Sequence, residues 1–180
     1  MKVLSLLSIV GLSSAAALPV KAGNDCNVEG NLFILDIGDT DQIVVSEWGN
    51  QGTDLIAQLG SDPSVGADTQ DALFYINKDN NRLIVLDVSD DFQPSNAYTD
   101  SPNGGELKFT YYNDTAIHHY WPVFDINSAG NLTVNGSSNA FSVCYSKQSH
   151  STIHIGSTAG KNCTALDDLI VHPLTSQLSS

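Results

Sequence analysis

At 180 residues, with 41% hydrophobic residues and 14 glycines, the chain has room for one domain with a sizeable core. Its 20 Asp and Glu outweigh 7 Lys and Arg, for a formal net charge of -13. A surface of that sign repels phosphate backbones and anionic lipid, which argues against nucleic acid or a membrane surface as partner.

The chain begins with Lys2, an apolar run over residues 3–12 and a small-residue tract in which Ala15-Ala16-Ala17 offers a cleavage site. This pattern predicts a secretory signal peptide over residues 1–17, with cleavage after Ala22 as the second choice. The run is too short to span a bilayer, which takes about 20 residues. Near the other end, His172 and Pro173 interrupt the apolar stretch that follows Asp168, so it does not suit the tail of a lipid-anchor signal. Residues 18–180 are therefore expected to form a single secreted domain, free of the membrane once the leader is removed.

Leu32-Phe33-Ile34-Leu35 reads as a core strand, and Ile43-Val44-Val45 as its hairpin mate, because β-branched residues pack well on a pleated surface. Residues 48–71, rich in Gly, Asp and Ser, read as a long surface loop that carries at most a short strand or helical turn around Leu55. Ala72 to Ile76 enters a turn at Asn77-Lys78-Asp79-Asn80-Asn81, and Arg82 to Leu86 leaves it. This is the clearest hairpin signal in the chain. Residues 89–105, with Pro94, Pro102 and Gly104-Gly105, read as another loop. Residues 106–112 alternate as one strand with Leu107, Phe109 and Tyr111 on one face.

Residues 124–163 are the densest part of the chain. Ile126 leads into the turn Asn127-Ser128-Ala129-Gly130, Leu132-Thr133-Val134 leads out, and Asn135-Gly136 makes a second tight turn. Two alternating runs follow, Phe141 to Tyr145 and Thr152 to Gly156, before Cys163. Residues 167–171 fit a last strand or a brief helix. Short strands broken by Gly, Asn and Pro turns, without a helical period, predict an all-β fold: one antiparallel β-sandwich or barrel.

Three cysteines in a secreted chain leave one over. Cys144 with Cys163 is the favoured pair, which leaves Cys26 free or cross-linked to another chain. The alternative gives Cys26 one of those two partners and leaves the other buried. Four N-x-S/T sequons, at Asn113, Asn131, Asn135 and Asn162, are candidate N-glycosylation sites. Asn162 is the weakest, since disulfide formation at its central Cys163 competes with glycan transfer. Glycans at Asn131 and Asn135 are expected to cover one hairpin tip.

Trp48 and Trp121, with Tyr111, Tyr112 and Tyr120, are candidates for a sugar-stacking platform; core packing is the commoner use of such rings. His118, His119, His150, His154 and His172 offer acid/base or metal chemistry with Asp114 or Asp125, yet none has a recognised metal spacing. No G-x-S-x-G elbow occurs, and adjacent carboxylates such as Asp90-Asp91 point to opposite faces of a strand. Asp79-Asn80-Asn81 and residues 36–41 carry oxygen ligands without the spacing of a calcium loop. No catalytic residue, cofactor or metal is expected.

Phe124-Asp125-Ile126, the run Gly130-Asn131-Leu132-Thr133-Val134-Asn135-Gly136-Ser137, Phe141-Ser142-Val143-Cys144 and Asn162-Cys163-Thr164-Ala165-Leu166 together give residues 123–170 a family likeness. This segment resembles the carboxy-terminal part of fungal cell-wall proteins of the PhiA type, which are linked to phialide and conidium development. The resemblance implies a wall location, wall polysaccharide or other wall proteins as partners, and no catalytic residues. It also supports the Cys144–Cys163 pairing.

Overall fold

The computed structural model describes residues 32–38, 41–46, 54–62, 65, 72–87, 93–110, 119–146, 150–156 and 162–174. The expectations placed on the leader, Cys26, Trp48, Asn113, His118, Tyr111 and Tyr112 lie outside these residues. Every regular element among the described residues is a β-strand, and every strand pairing is antiparallel.

The strands, in chain order, begin with β1 (Phe33–Ile37), β2 (Asp41–Ser46), β3 (Leu55–Leu59), β4 (Leu73–Asn77), β5 (Arg82–Asp87) and β6 (Gln93–Tyr98). Next come β7 (Gly104–Glu106), β8 (Lys108–Thr110), β9 (Phe124–Ile126) and β10 (Leu132–Val134). The last four are β11 (Phe141–Tyr145), β12 (Ser151–Gly156), β13 (Cys163–Ala165) and β14 (Ile170–Pro173). Seven of them run β1-β2-β3-β8-β6-β5-β4 and close into a barrel through the pairing of Phe33 with Phe74. β14 adds to β1 as an extra strand. A four-stranded sheet, β13-β11-β12-β7, and the β9–β10 hairpin complete the fold. Of the two all-β forms expected, the barrel is the one that occurs.

Period-2 alternation builds the interior. Phe33 and Leu35 of β1 are buried while Ile34 and Asp36 are half-buried, and the fully buried Leu83 and Val85 of β5 face the same core. That core continues through Phe109, Phe124, Leu132, Phe141 and Ile153, so barrel, hairpin and small sheet share one apolar interior. Phe74 stands at its centre, with ring centroids 6.3 Å from Phe33 and 6.0 Å from Phe109. Tyr75, Ile84 and Leu86 form a smaller cluster with Leu32 and Leu73.

Three expectations change. The loop foreseen over residues 48–71 does carry a short strand around Leu55, β3, but all five of its residues are buried rather than on the surface. Ala57 and Gln58 hide its burial, since Gln58 is held inside by donating from Nε2 to the Ser151 carbonyl at 3.1 Å. The loop foreseen over residues 89–105 contains β6, whose small Ser95 and Ala97 are fully buried beside bulkier neighbours. The single strand foreseen over residues 106–112 is divided at Leu107. Its N–H donates to the Ile153 carbonyl at 2.8 Å and its carbonyl accepts from Ala57 N–H at 3.1 Å. Residue 107 is thus the joint between the small sheet, reached by β7, and the barrel, reached by β8.

The hairpin turns behave as their residues require. Asn81 (φ 54°) ends the β4–β5 turn, and Asn135 (φ 51°) with Gly136 (φ 82°) forms the two-residue turn joining Val134 to Ser137. Positive φ at both central positions is the mirror-type turn that favours Asn-Gly.

Candidate functional site

The first feature is covalent. Cys144 of β11 stands directly opposite Cys163 of β13, and the two are joined by a disulfide with Cα atoms 3.9 Å apart. Tyr145 N–H donates to the Asn162 carbonyl at 2.8 Å, which makes Cys144 and Cys163 a non-hydrogen-bonded pair. In antiparallel sheets that type of pair brings opposing side chains closest. Local strand pairing therefore selects this pairing over either one involving Cys26.

The second feature is an aromatic corner at the end of β6. Tyr120 and Thr99 exchange two backbone hydrogen bonds of 2.9 Å, which sets residues 119–121 alongside the chain like a short strand. Alternation then sends His119 and Trp121 to one side and Tyr120 to the other. The His119 ring lies 4.1 Å from Tyr98 and 5.6 Å from Trp121, centroid to centroid. The Arg82 guanidinium sits 4.1 Å above the Trp121 ring, a cation–π arrangement. Of the two tryptophans proposed for sugar stacking, Trp121 thus has one face occupied by Arg82, and Trp48 lies outside the described residues. Tyr120, 41% exposed, is the ring that stands out into solvent.

Beside this corner runs a groove of about 360 Å³, lined by Tyr120, Trp121, Asn103, Asn135, Ala140 and Gly156 among others. Glycine makes its close wall possible. Gly104 (φ +96°) pairs with Gly156 (φ +85°), and a Cβ on Gly104 would lie 2.0 Å from the Ile155 carbonyl oxygen. A second concavity, of about 430 Å³, is lined by Leu32, Phe33, Ile76 and Ile126, with Lys78 and Asp125 as its charged members.

Under the aromatic corner, the Tyr98 hydroxyl donates to Asp54 Oδ2 at 2.6 Å. Burial first, then that hydrogen bond and the negative charges of Asp54, Asp100 and Glu106, push the phenol far above its ordinary value of 10.0. Because the folded value lies above the unfolded one, the stability this group contributes is whole below pH 10 and declines as pH rises past it. Urea midpoints measured between pH 9 and pH 11.5 are expected to fall, and to fall less steeply for Tyr98→Phe. Identical slopes for the two proteins would remove Tyr98 from the account.

A serine, a histidine and an aspartate also meet inside the molecule, though not in a productive order. Asp62 is buried; its Oδ2 accepts from Ser151 N–H and, at 2.6 Å, from Ser151 Oγ, while Oδ1 lies 3.5 Å from His150 Nδ1. The carboxylate binds the hydroxyl directly, whereas nucleophile activation puts the imidazole between the two. Ser151 is only 1% exposed, and its Oγ also accepts from Leu59 N–H. This cluster fastens the start of β12 to the end of β3.

The other described histidines are dispersed. His154 Nε2 lies 3.0 Å from Thr152 Oγ1 on the same strand, and His172 on β14 lies 3.1 Å from Asp36 on β1. No group of three or more His, Cys, Asp or Glu suited to a metal ion occurs among the described residues. The oxygen-rich turns are engaged locally: Asn77 Oδ1 accepts from Asp79 N–H, and Asp41 Oδ1 accepts from Ser61 N–H at 3.1 Å.

Three sequons fall within the described residues. Asn131 follows the β9–β10 turn and is half-buried, Asn135 is exposed at the other end of β10, and Asn162 is exposed next to the disulfide. The expectation that Asn131 and Asn135 share one hairpin tip is therefore corrected, since β10 separates them by roughly 13 Å. Asn135 instead belongs to the aromatic groove.

No protein-family model matches the chain, and no curated protein matches it. Among solved structures it is similar to a chain in the crystal structure of the Haemophilus ducreyi cytolethal distending toxin, 10% identical, with a TM-score of 0.47 over 83% of this chain and 87% of that one. A likeness at that level carries no information about what this chain does.

Proposed function

We propose that the chain is a secreted, N-glycosylated β-barrel with a structural, non-catalytic role in or on a fungal cell wall. The observation that carries this reading is the Cys144–Cys163 bridge between strands in register. Such bridges persist in oxidising compartments and are rare where thiols are kept reduced. The leader pattern at residues 1–17, the sequons and the wall-protein resemblance of residues 123–170 support the same reading. The acidic surface suits solubility and contact with uncharged polymers or basic proteins.

Fractionation of the cells that make the chain tests this. The protein is expected in the medium and in wall extracts; recovery from the cytosol alone would overturn the proposal.

A second reading is sugar binding, favoured by one observation: the groove beside the exposed Tyr120 is open, aromatic on one wall and lined by polar Asn103 and Asn135. Such a mixture suits a pyranose, whose C–H face packs on a ring while its hydroxyls seek polar partners.

A further inference from the structure

We propose that the sugar held in the Tyr120 groove is the chain's own, namely the first residues of a glycan attached to Asn135. This inference rests on the glycoprotein reading above and deepens it by naming the groove's occupant. Asn135 lines the groove together with Tyr120 and Trp121, and it is the exposed first residue of the sequon Asn135-Gly136-Ser137. Its backbone is fixed: Asn135 N–H donates to the Val123 carbonyl at 2.8 Å, within the tight turn closed by Val134 and Ser137. Its side chain is oriented as well. Oδ1 accepts from Val123 N–H at 3.4 Å, so the carboxamide nitrogen, the atom that carries an N-glycan, is directed away from Val123. A glycan bonded to that nitrogen leaves the oxygen free to keep this contact, so the turn survives modification.

On the same groove stands the exposed ring of Tyr120, whose backbone is pinned to Thr99 by two hydrogen bonds. A fixed attachment atom and a fixed ring on one groove make the stacking intramolecular, and its high effective concentration compensates for a small contact area. A polysaccharide from outside would have to displace this tethered sugar. The groove is then a cradle that covers apolar surface at the joint of Tyr120, Val134 and Ile155.

The test uses the full chain secreted from a eukaryotic host, with three variants. Tyr120→Ala removes the ring; Ser137→Ala removes the sequon without placing a bulkier side chain at the positive φ of Asn135; the third variant carries both changes. Glycopeptide mapping should find Asn135 modified. Endoglycosidase should release its glycan from the native parent at least tenfold more slowly than from Tyr120→Ala. The parent should melt about 2–4 °C above Ser137→Ala, a difference that vanishes when Tyr120 is already alanine. Ser137→Ala, with its groove vacated, should be retained on insoluble glucan or chitin more strongly than the parent, and the double variant should lose that gain. Equal release rates with equal melting differences would overturn the proposal, as would an unmodified Asn135 alongside occupied Asn131. Both results leave the secreted-glycoprotein reading standing. A chain with no glycan and reduced cysteines sinks that reading too.

Discussion

Replacing Phe109 with alanine is expected to lower the unfolding free energy by about 3–5 kcal/mol, the range for truncating a fully buried aromatic. Phe109 is 0% exposed, and its strand is the one that joins β3 to β6. It pairs with Leu55 on one side and Ala97 on the other, and its ring leans on Phe74, which in turn meets Phe33 at the closure of the barrel. Ala97 and Ser95 are too small to fill the space the ring would leave, so collapse around the cavity is limited. For a domain of this size the loss corresponds to a melting temperature lower by roughly 10 °C. Val123, 47% exposed, provides the control: Val123→Ala should stay within about 0.5 kcal/mol of the parent. Urea denaturation of the two variants measures the contrast, and equal effects would mean that Phe109 does not hold the barrel together.

Removing the disulfide should cost nearly as much. The sequence separation of 19 residues between Cys144 and Cys163 corresponds to about 3 kcal/mol of loop-closure entropy in the unfolded chain. Cys144 is also buried, so the Cys144→Ala, Cys163→Ala double variant loses some packing as well. The strand most affected is β13, three residues long, which pairs with β11 alone at the edge of its sheet. Without the bridge, three residue pairs are left to hold it. Thermal melting of parent, reduced parent and double variant should show a drop of several degrees shared by the last two. A double variant as stable as the oxidised parent would contradict this role.

Legibility in the sequence followed the local chemistry. The β4–β5 and β9–β10 hairpins were readable because apolar alternation flanks turns rich in Asn and Gly. The structure adds the mechanism: Asn77 Oδ1 accepts from Asp79 N–H, and Asn80 Oδ1 accepts from Arg82 N–H. The disulfide was readable because Cys144 lies in a strand-like run, Cys163 follows it closely enough in sequence to pair, and the resemblance of residues 123–170 points to the same pair. By contrast, β6 was hidden because Pro94, Ser95 and Asn96 suggest a loop, although Ser95 is buried where large neighbours need a small partner. The short strand allowed around Leu55 is β3; what stayed hidden was its burial, because Gln58 is held inside by Ser46 and Ser151, 12 and 93 residues away. The Asp62–Ser151 contact spans 89 residues, so no local spacing announces it. In the aromatic corner, sequence named both Tyr120 and Trp121, but only the pairing of Tyr120 with Thr99 decides which ring meets Arg82 and which meets solvent.

The most direct test of a secreted, bridged β-barrel is intact mass with disulfide mapping on the protein recovered from its native source, before and after glycan removal. The expected result is a chain cut near Ala17, a mass that falls on deglycosylation, and a Cys144–Cys163 cross-linked peptide. An uncut, unglycosylated chain with Cys144 and Cys163 both as free thiols would contradict it.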